Sequence, residues 1–222
     1  MSRSALWAAI HRERVRLAED LAALDEGQWQ RPTLCGAWTV RDVVAHLTAA
    51  ASTGRLRWMT SVIGARFDFD LHNQRRLTEQ LGDTPGETLD RYRRVVTSTT
   101  AASGHTPAWL GEVLVHGQDI RQPLGLTSTP ATDAAVEVAD FFVRRDFTVP
   151  SKTHVHGLRL EATDSHFAAG AGPCVRGTTL DLTMAMAGRS TYCDDLSGPG
   201  VATLRSRTET ATQKASRLRR GT

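Results

Sequence analysis

Lysine is almost missing from this 222-residue chain: Lys152 and Lys214 are the only two, so 25 of the 27 basic residues are arginine. Together with frequent Ala, Thr and Val, this points to a high-GC bacterial coding bias rather than an electrostatic design. Cysteine is also scarce. Cys35, Cys174 and Cys193 are odd in number and widely spaced, which excludes a disulfide framework and a CxxC metal knuckle and fits a reducing cytoplasm. No stretch approaches the roughly 18–20 apolar residues of a membrane span. The opening Met-Ser-Arg-Ser-Ala-Leu-Trp has no signal-peptide core, so a cytoplasmic protein is expected, without a membrane partner. Internal repeats and low-complexity segments are absent as well.

What is present is ordinary globular material: 40% apolar and 23% charged residues, on a chain long enough to bury a real core. The formal charge of +3 and a pI near 9.0 suggest a nucleic-acid partner only until the charge is placed. From Arg205 onward there are six bases and one acid, leaving 21 bases against 23 acids in residues 1–204. The basic balance belongs to the tail, so no nucleic-acid partner is expected.

Periodicity predicts a long amphipathic helix over 4–24, with Leu6, Ile10, Val15, Leu17, Leu21 and Leu24 on its apolar side. A loop follows over 28–37. A second helix starts behind Thr39 and Asp42, a capping-box variant, and is expected to reach about Gly64. A short helix is expected around Asn73–Leu81, a third long one from Thr84-Pro85 to about Ala102, a fourth from Pro107 to about Pro123, and a fifth over 132–145. Beyond Val149-Pro150 the pattern changes. Leu158 to Thr163 alternates like a strand, with Cys174–Arg176 as its partner, a helix over 178–187 and a last short strand over 201–204. The fold class read from this is mainly α: a helical bundle over 1–150, a small α+β domain over 151–204, and a basic, flexible tail over 205–222.

The candidate chemistry lies on two helices. Glu112 and His116 are four residues apart, hence on one helix face, in an apolar stretch where an unpaired carboxylate is costly. His46 stands among Val43, Val44 and Leu47 on another helix. Two imidazoles and a carboxylate leave coordination positions open for water or substrate, as catalytic metal sites do. The spacing by itself also fits an intrahelical hydrogen bond and a buried histidine bonded to a carbonyl. Asp119 either orients His116, or helps end the helix or pairs with Arg121, and the sequence favours the last two. Cys35 reads as a loop cysteine, Trp38 as a residue packing that loop, and His154 and His156 as surface or interdomain residues. Arg189 and Arg205 could reach an acidic substrate, but solvated arginines are the simpler reading. The polar segment 65–83, with His72 and Asn73, is a candidate substrate loop.

The run Leu34-Cys35-Gly36-Ala37-Trp38-Thr39-Val40-Arg41-Asp42-Val43-Val44-Ala45-His46-Leu47 resembles a motif of the mycothiol-dependent maleylpyruvate isomerase family, within the DinB-like superfamily. Gly111 to Ile120 resembles that family's second motif. Gly157–Asp164, Gly172-Pro173, Val175–Gly177, Ala187–Arg189 and Asp195–Gly200 resemble its C-terminal domain. The resemblance implies a DinB-like helical bundle followed by a sterol-carrier-like domain. It also implies a divalent metal, usually Zn2+, on His46, Glu112 and His116. The implied thiol co-substrate is mycothiol, which suits an actinobacterial source and a small electrophilic substrate. The implied activity is S-transfer or thiol-assisted cis–trans isomerisation by a monomer or homodimer. The same ligands also suit a non-haem Fe(II) oxygen-dependent enzyme or a non-catalytic metal- or thiol-binding regulator.

Overall fold

The computed structural model describes residues 1–36, 38–54, 59–60 and 69–220, without the side chains of 69–73 and 211–220. The chain divides into two compact units, Met1–Thr129 and Pro130–Thr222. Among the described residues, no helix is long and apolar enough to cross a membrane.

The first unit is a helical bundle. Helix α1 (Arg3–Ala22) buries Leu6, Ala9, Ile10, Leu17, Ala18 and Leu21. Glu13 and Arg14 also fall on the buried side, whereas Val15, placed in the apolar stripe above, is exposed. Asp25 then closes a capping box with Gln28 over a single helical turn, α2 (Glu26–Trp29), which overlaps the start of the segment read as loop. Helix α3 (Val40–Ser52) starts at the Thr39–Asp42 capping box, where each side chain accepts from the other's backbone N–H. It ends at Ser52 rather than near Gly64. Helices α4 (Phe69–Gln80) and α5 (Pro85–Arg93) both pack on α3. The latter stops before the expected 102 because turns replace it after Arg93.

Helix α6 (Thr106–Leu124) packs on α1 and α3 and closes on Gly125 in the left-handed region, φ 68°. The core joins Leu17, Leu21, Trp29, Val40, Val43, Val44, Leu47, Leu89 and Ile120. Cys35 and Trp38 lie half-buried against it.

The second unit begins earlier than the Pro150 boundary expected from the sequence. Helix α7 (Thr132–Arg144) buries Val138, Phe141 and Phe142 and packs on a later helix of this unit, α9 (Thr179–Met186). Its apolar face therefore belongs with residues 151–222, and the division falls at Thr129/Pro130. One turn, α8 (Ser151–His154), precedes a three-stranded sheet of β1 (Arg159–Ala162), β2 (Ala168–Gly170) and β3 (Cys174–Gly177) in the order β2-β1-β3. Strand β1 pairs antiparallel with β2 (Leu160 opposite Ala169) and parallel with β3 (Leu160 opposite Val175). Strand β2 lies between the two strands expected from the sequence and is additional to them.

A 3-10 helix follows over Ser190–Asp195. The expected strand over 201–204 is instead the start of helix α10 (Val201–Arg220). Leu204 and Thr208, four residues apart on this helix, are both fully buried. The stretch read as a tail is helical as far as Arg220.

Candidate metal centre

Helix α3 carries His46 beside Val43, Val44 and Leu47, all fully or nearly fully buried. Helix α6 carries Glu112 and His116 one turn apart. Their packing brings His46 Nε2 to 2.6 Å from Glu112 Oε1, and His116 Nε2 to 3.7 Å from the same oxygen. One potential ligand atom from each of the three residues lies within 4.8 Å of the others. Their side chains retain 12–18% exposure, so the cluster is lined by protein yet reachable.

Asp119 takes neither of the roles the sequence favours. Its side chain is fully buried, and Oδ2 sits 2.9 Å from His116 Nδ1. Arg121 pairs instead with Asp20, Nε to Oδ2 at 2.7 Å. With Nδ1–H donated to Asp119, the lone pair of His116 is left on Nε2, toward Glu112. That is the tautomer a ligating imidazole needs.

Burial opposes a charge on His116, but Cys35, Asp119 and Glu112 outweigh it and hold the imidazole pKa well above its usual value. The surroundings therefore favour positive charge at this point. Two imidazoles, one carboxylate and a buried orienting carboxylate fit a divalent ion with a position left open.

The loop before α3 forms one wall. Thr33 N and Oγ1 both donate to Trp38 O, Trp38 N donates to Cys35 O, and Cys35 N donates to Thr33 Oγ1. Gly36 takes a φ of 66°, which favours glycine. Trp38 stands over both histidines, with ring centroids 4.9 Å from His46 and 6.5 Å from His116.

The loop is tied to α6 by Leu34 N donating to Asp119 O at 3.1 Å. Within the helix that carbonyl has no i+4 amide to accept from, because the residue four positions on is Pro123, which has no N–H. Cys35 thereby comes close to His116 and Asp119, a group of three potential ligands within 4.8 Å of one another. Sequence reasoning missed this, although the i, i+4 relation of Asp119 and Pro123 signals a carbonyl without its helical amide.

The remaining candidates lie elsewhere. His154 is 3% exposed, with Nδ1 on Met186 O at 2.9 Å, so it is a core histidine rather than a surface residue. Arg205 pairs with Asp194 and Arg189 donates to Ala187 O. The side chains of His72 and Asn73 lie outside the described residues.

Residues 10–109 match the family described as mycothiol maleylpyruvate isomerase N-terminal domain. The chain carries that domain. The match contains His46 but ends before Glu112 and His116, so it is the packing of α6 on α3 that joins the three. Two solved structures of the mycothiol-dependent maleylpyruvate isomerase share the fold well beyond the N-terminal domain. The first has a TM-score of 0.62 at 14% identity. The second, a mutant of that isomerase with one histidine replaced by alanine, has a TM-score of 0.60 at 12% identity. Each comparison covers 90% of this chain and 93% of the other. No curated protein sequence matches the chain.

Proposed function

We propose that this chain is an enzyme that uses a low-molecular-weight thiol, mycothiol, and a divalent metal, Zn2+, held by His46, Glu112 and His116. Its substrate is a small electrophile, and the reaction is S-transfer or thiol-assisted cis–trans isomerisation. The observation that carries this is the 2.6 Å approach of His46, inside the matched N-terminal domain, to Glu112 beyond it.

A divalent ion in such a site supplies the means to hold a thiol as its nucleophilic thiolate. The chain's own residues do the rest. His46 and His116 contribute neutral donors and Glu112 one negative charge, so the set balances a divalent cation to within one charge, which an anionic ligand completes. Asp119 fixes the ring plane and tautomer of His116. Trp38 covers the two imidazoles and keeps water from that side. Addition of a thiolate to an activated double bond leaves a single bond free to rotate. Expulsion of the thiol then gives the isomer, whereas retention gives the conjugate.

The test is elemental analysis of the purified chain with a thiol-dependent turnover assay using mycothiol. About one divalent ion per chain is expected, together with turnover that requires the thiol, and both are lost in His116→Ala. A wild-type chain without divalent metal, or a His116→Ala chain with unchanged metal content and thiol binding, overturns the proposal.

A further inference from the structure

We propose that Cys35, His116 and Asp119 form a second metal-binding set that takes a thiophilic divalent ion and shares His116 with the His46–Glu112–His116 triad. Their potential ligand atoms lie within 4.8 Å of one another. His116 faces this set through Nδ1, 2.9 Å from Asp119 Oδ2, and faces the triad through Nε2. One imidazole thus turns Nδ1 to the carboxylate of one set and Nε2 to the carboxylate of the other.

The two sets differ in chemistry. The triad offers two nitrogens and one oxygen with a single negative charge. The second set offers sulfur, nitrogen and oxygen, and once the thiol is deprotonated its two negative charges neutralise a divalent ion completely. Soft ions follow sulfur. A neutral second set also suits its position, because Asp119 is fully buried and Cys35 half-buried.

The positions are fixed before any ion arrives. Cys35 N is held by Thr33 Oγ1, Cys35 O by Trp38 N, and the preceding residue by the Leu34–Asp119 backbone bond. Binding releases one proton to solvent, from Cys35 Sγ, while His116 gives up its Nδ1 proton and takes one up on Nε2. The proton lost from Nδ1 is the one now shared with Asp119. A neutral His116 with its lone pair on Nδ1 carries its proton on Nε2 and is unavailable to the triad. A thiophilic ion at Cys35 therefore draws His116 away from His46 and Glu112.

The test is a Cd2+ titration of the full chain carrying Cys174→Ser and Cys193→Ser, so that Cys35 is the one thiol. It is followed by the ultraviolet thiolate-to-cadmium absorption. The band is expected to appear, to survive His46→Ala with Glu112→Gln, to vanish in Cys35→Ser, and to need about tenfold more Cd2+ in Asp119→Asn. In the wild-type chain, Cd2+ is expected to slow alkylation of Cys35, read by peptide mass spectrometry, which needs no variant to fold.

Absence of both the band and the protection overturns the proposal. So does loss of the band on removing His46 and Glu112, which makes Cys35 a further ligand of the triad's ion. Metal content of Cys35→Ser reports on the triad alone, so failure of the proposed function is distinguishable from failure of this second set.

Discussion

Asp119 has no exposed side-chain surface and places Oδ2 2.9 Å from His116 Nδ1. The orientation of one potential metal ligand is thereby set by a group that solvent does not reach.

Asp119→Asn keeps the shape but removes the charge-assisted bond to Nδ1, and its amide can donate where the carboxylate accepts. Metal affinity is expected to fall about 10–100-fold, measured by competition with a chromophoric chelator, with little change in the far-ultraviolet circular dichroism. Unchanged affinity would mean that the ring is held by other contacts.

Asp20 and Arg121 join α1 to α6, with the Arg121 side chain 2% exposed. Asp20→Ala leaves a buried guanidinium without its carboxylate and is expected to lower unfolding free energy by about 3 kcal/mol, the low end for a broken buried pair because Asp20 keeps some exposure. Urea unfolding measures this. The double variant Asp20→Ala with Arg121→Met is expected to recover most of the loss.

Tyr92 is fully buried, and its hydroxyl has no hydrogen-bond partner among the described residues. Burial, only partly opposed by Arg14 and Arg121, raises its pKa far above that of an ordinary tyrosine. The native state therefore keeps this proton while the unfolded state loses it above about pH 10. The stabilising contribution is complete below that pH and is lost as pH rises toward the native value. Of the two tyrosines in the chain, Tyr92 and Tyr192, Tyr92 is expected to ionise only as the protein unfolds, seen as a tyrosinate absorbance step coincident with loss of circular dichroism. Tyr92→Phe is expected to remove that alkaline dependence and to leave neutral-pH stability unchanged or higher, since it deletes an unpaired polar atom.

The helices that build the site are legible because their signals are local. Thr39 and Asp42 mark the start of α3, the Glu112–His116 spacing is a property of one helix, and Gly125 closes α6. The alternation at Leu158–Thr163 likewise marks β1. What is not legible depends on partners far along the chain. Asp119 turns to His116 rather than Arg121 because Asp20, on another helix, satisfies the arginine. The apolar face of α7 does not reveal that α9 covers it, so the unit boundary falls before α7 rather than after it. The three-residue strand β2 has too few positions for a period to show, and Val201–Leu204 fits a strand locally until the helical continuation to Arg220 is seen.

Pro123 acts on a wall of the site through a hydrogen bond that it cannot make. By withholding an N–H it leaves the Asp119 carbonyl to the Leu34 amide, and so secures the segment bearing Cys35 and Trp38. A residue with an N–H at 123 would compete with the Leu34 amide for that carbonyl and weaken the tie between the loop and α6. The segment at 33–39 and the proline on the neighbouring helix are thus one structural unit, although they lie far apart along the chain.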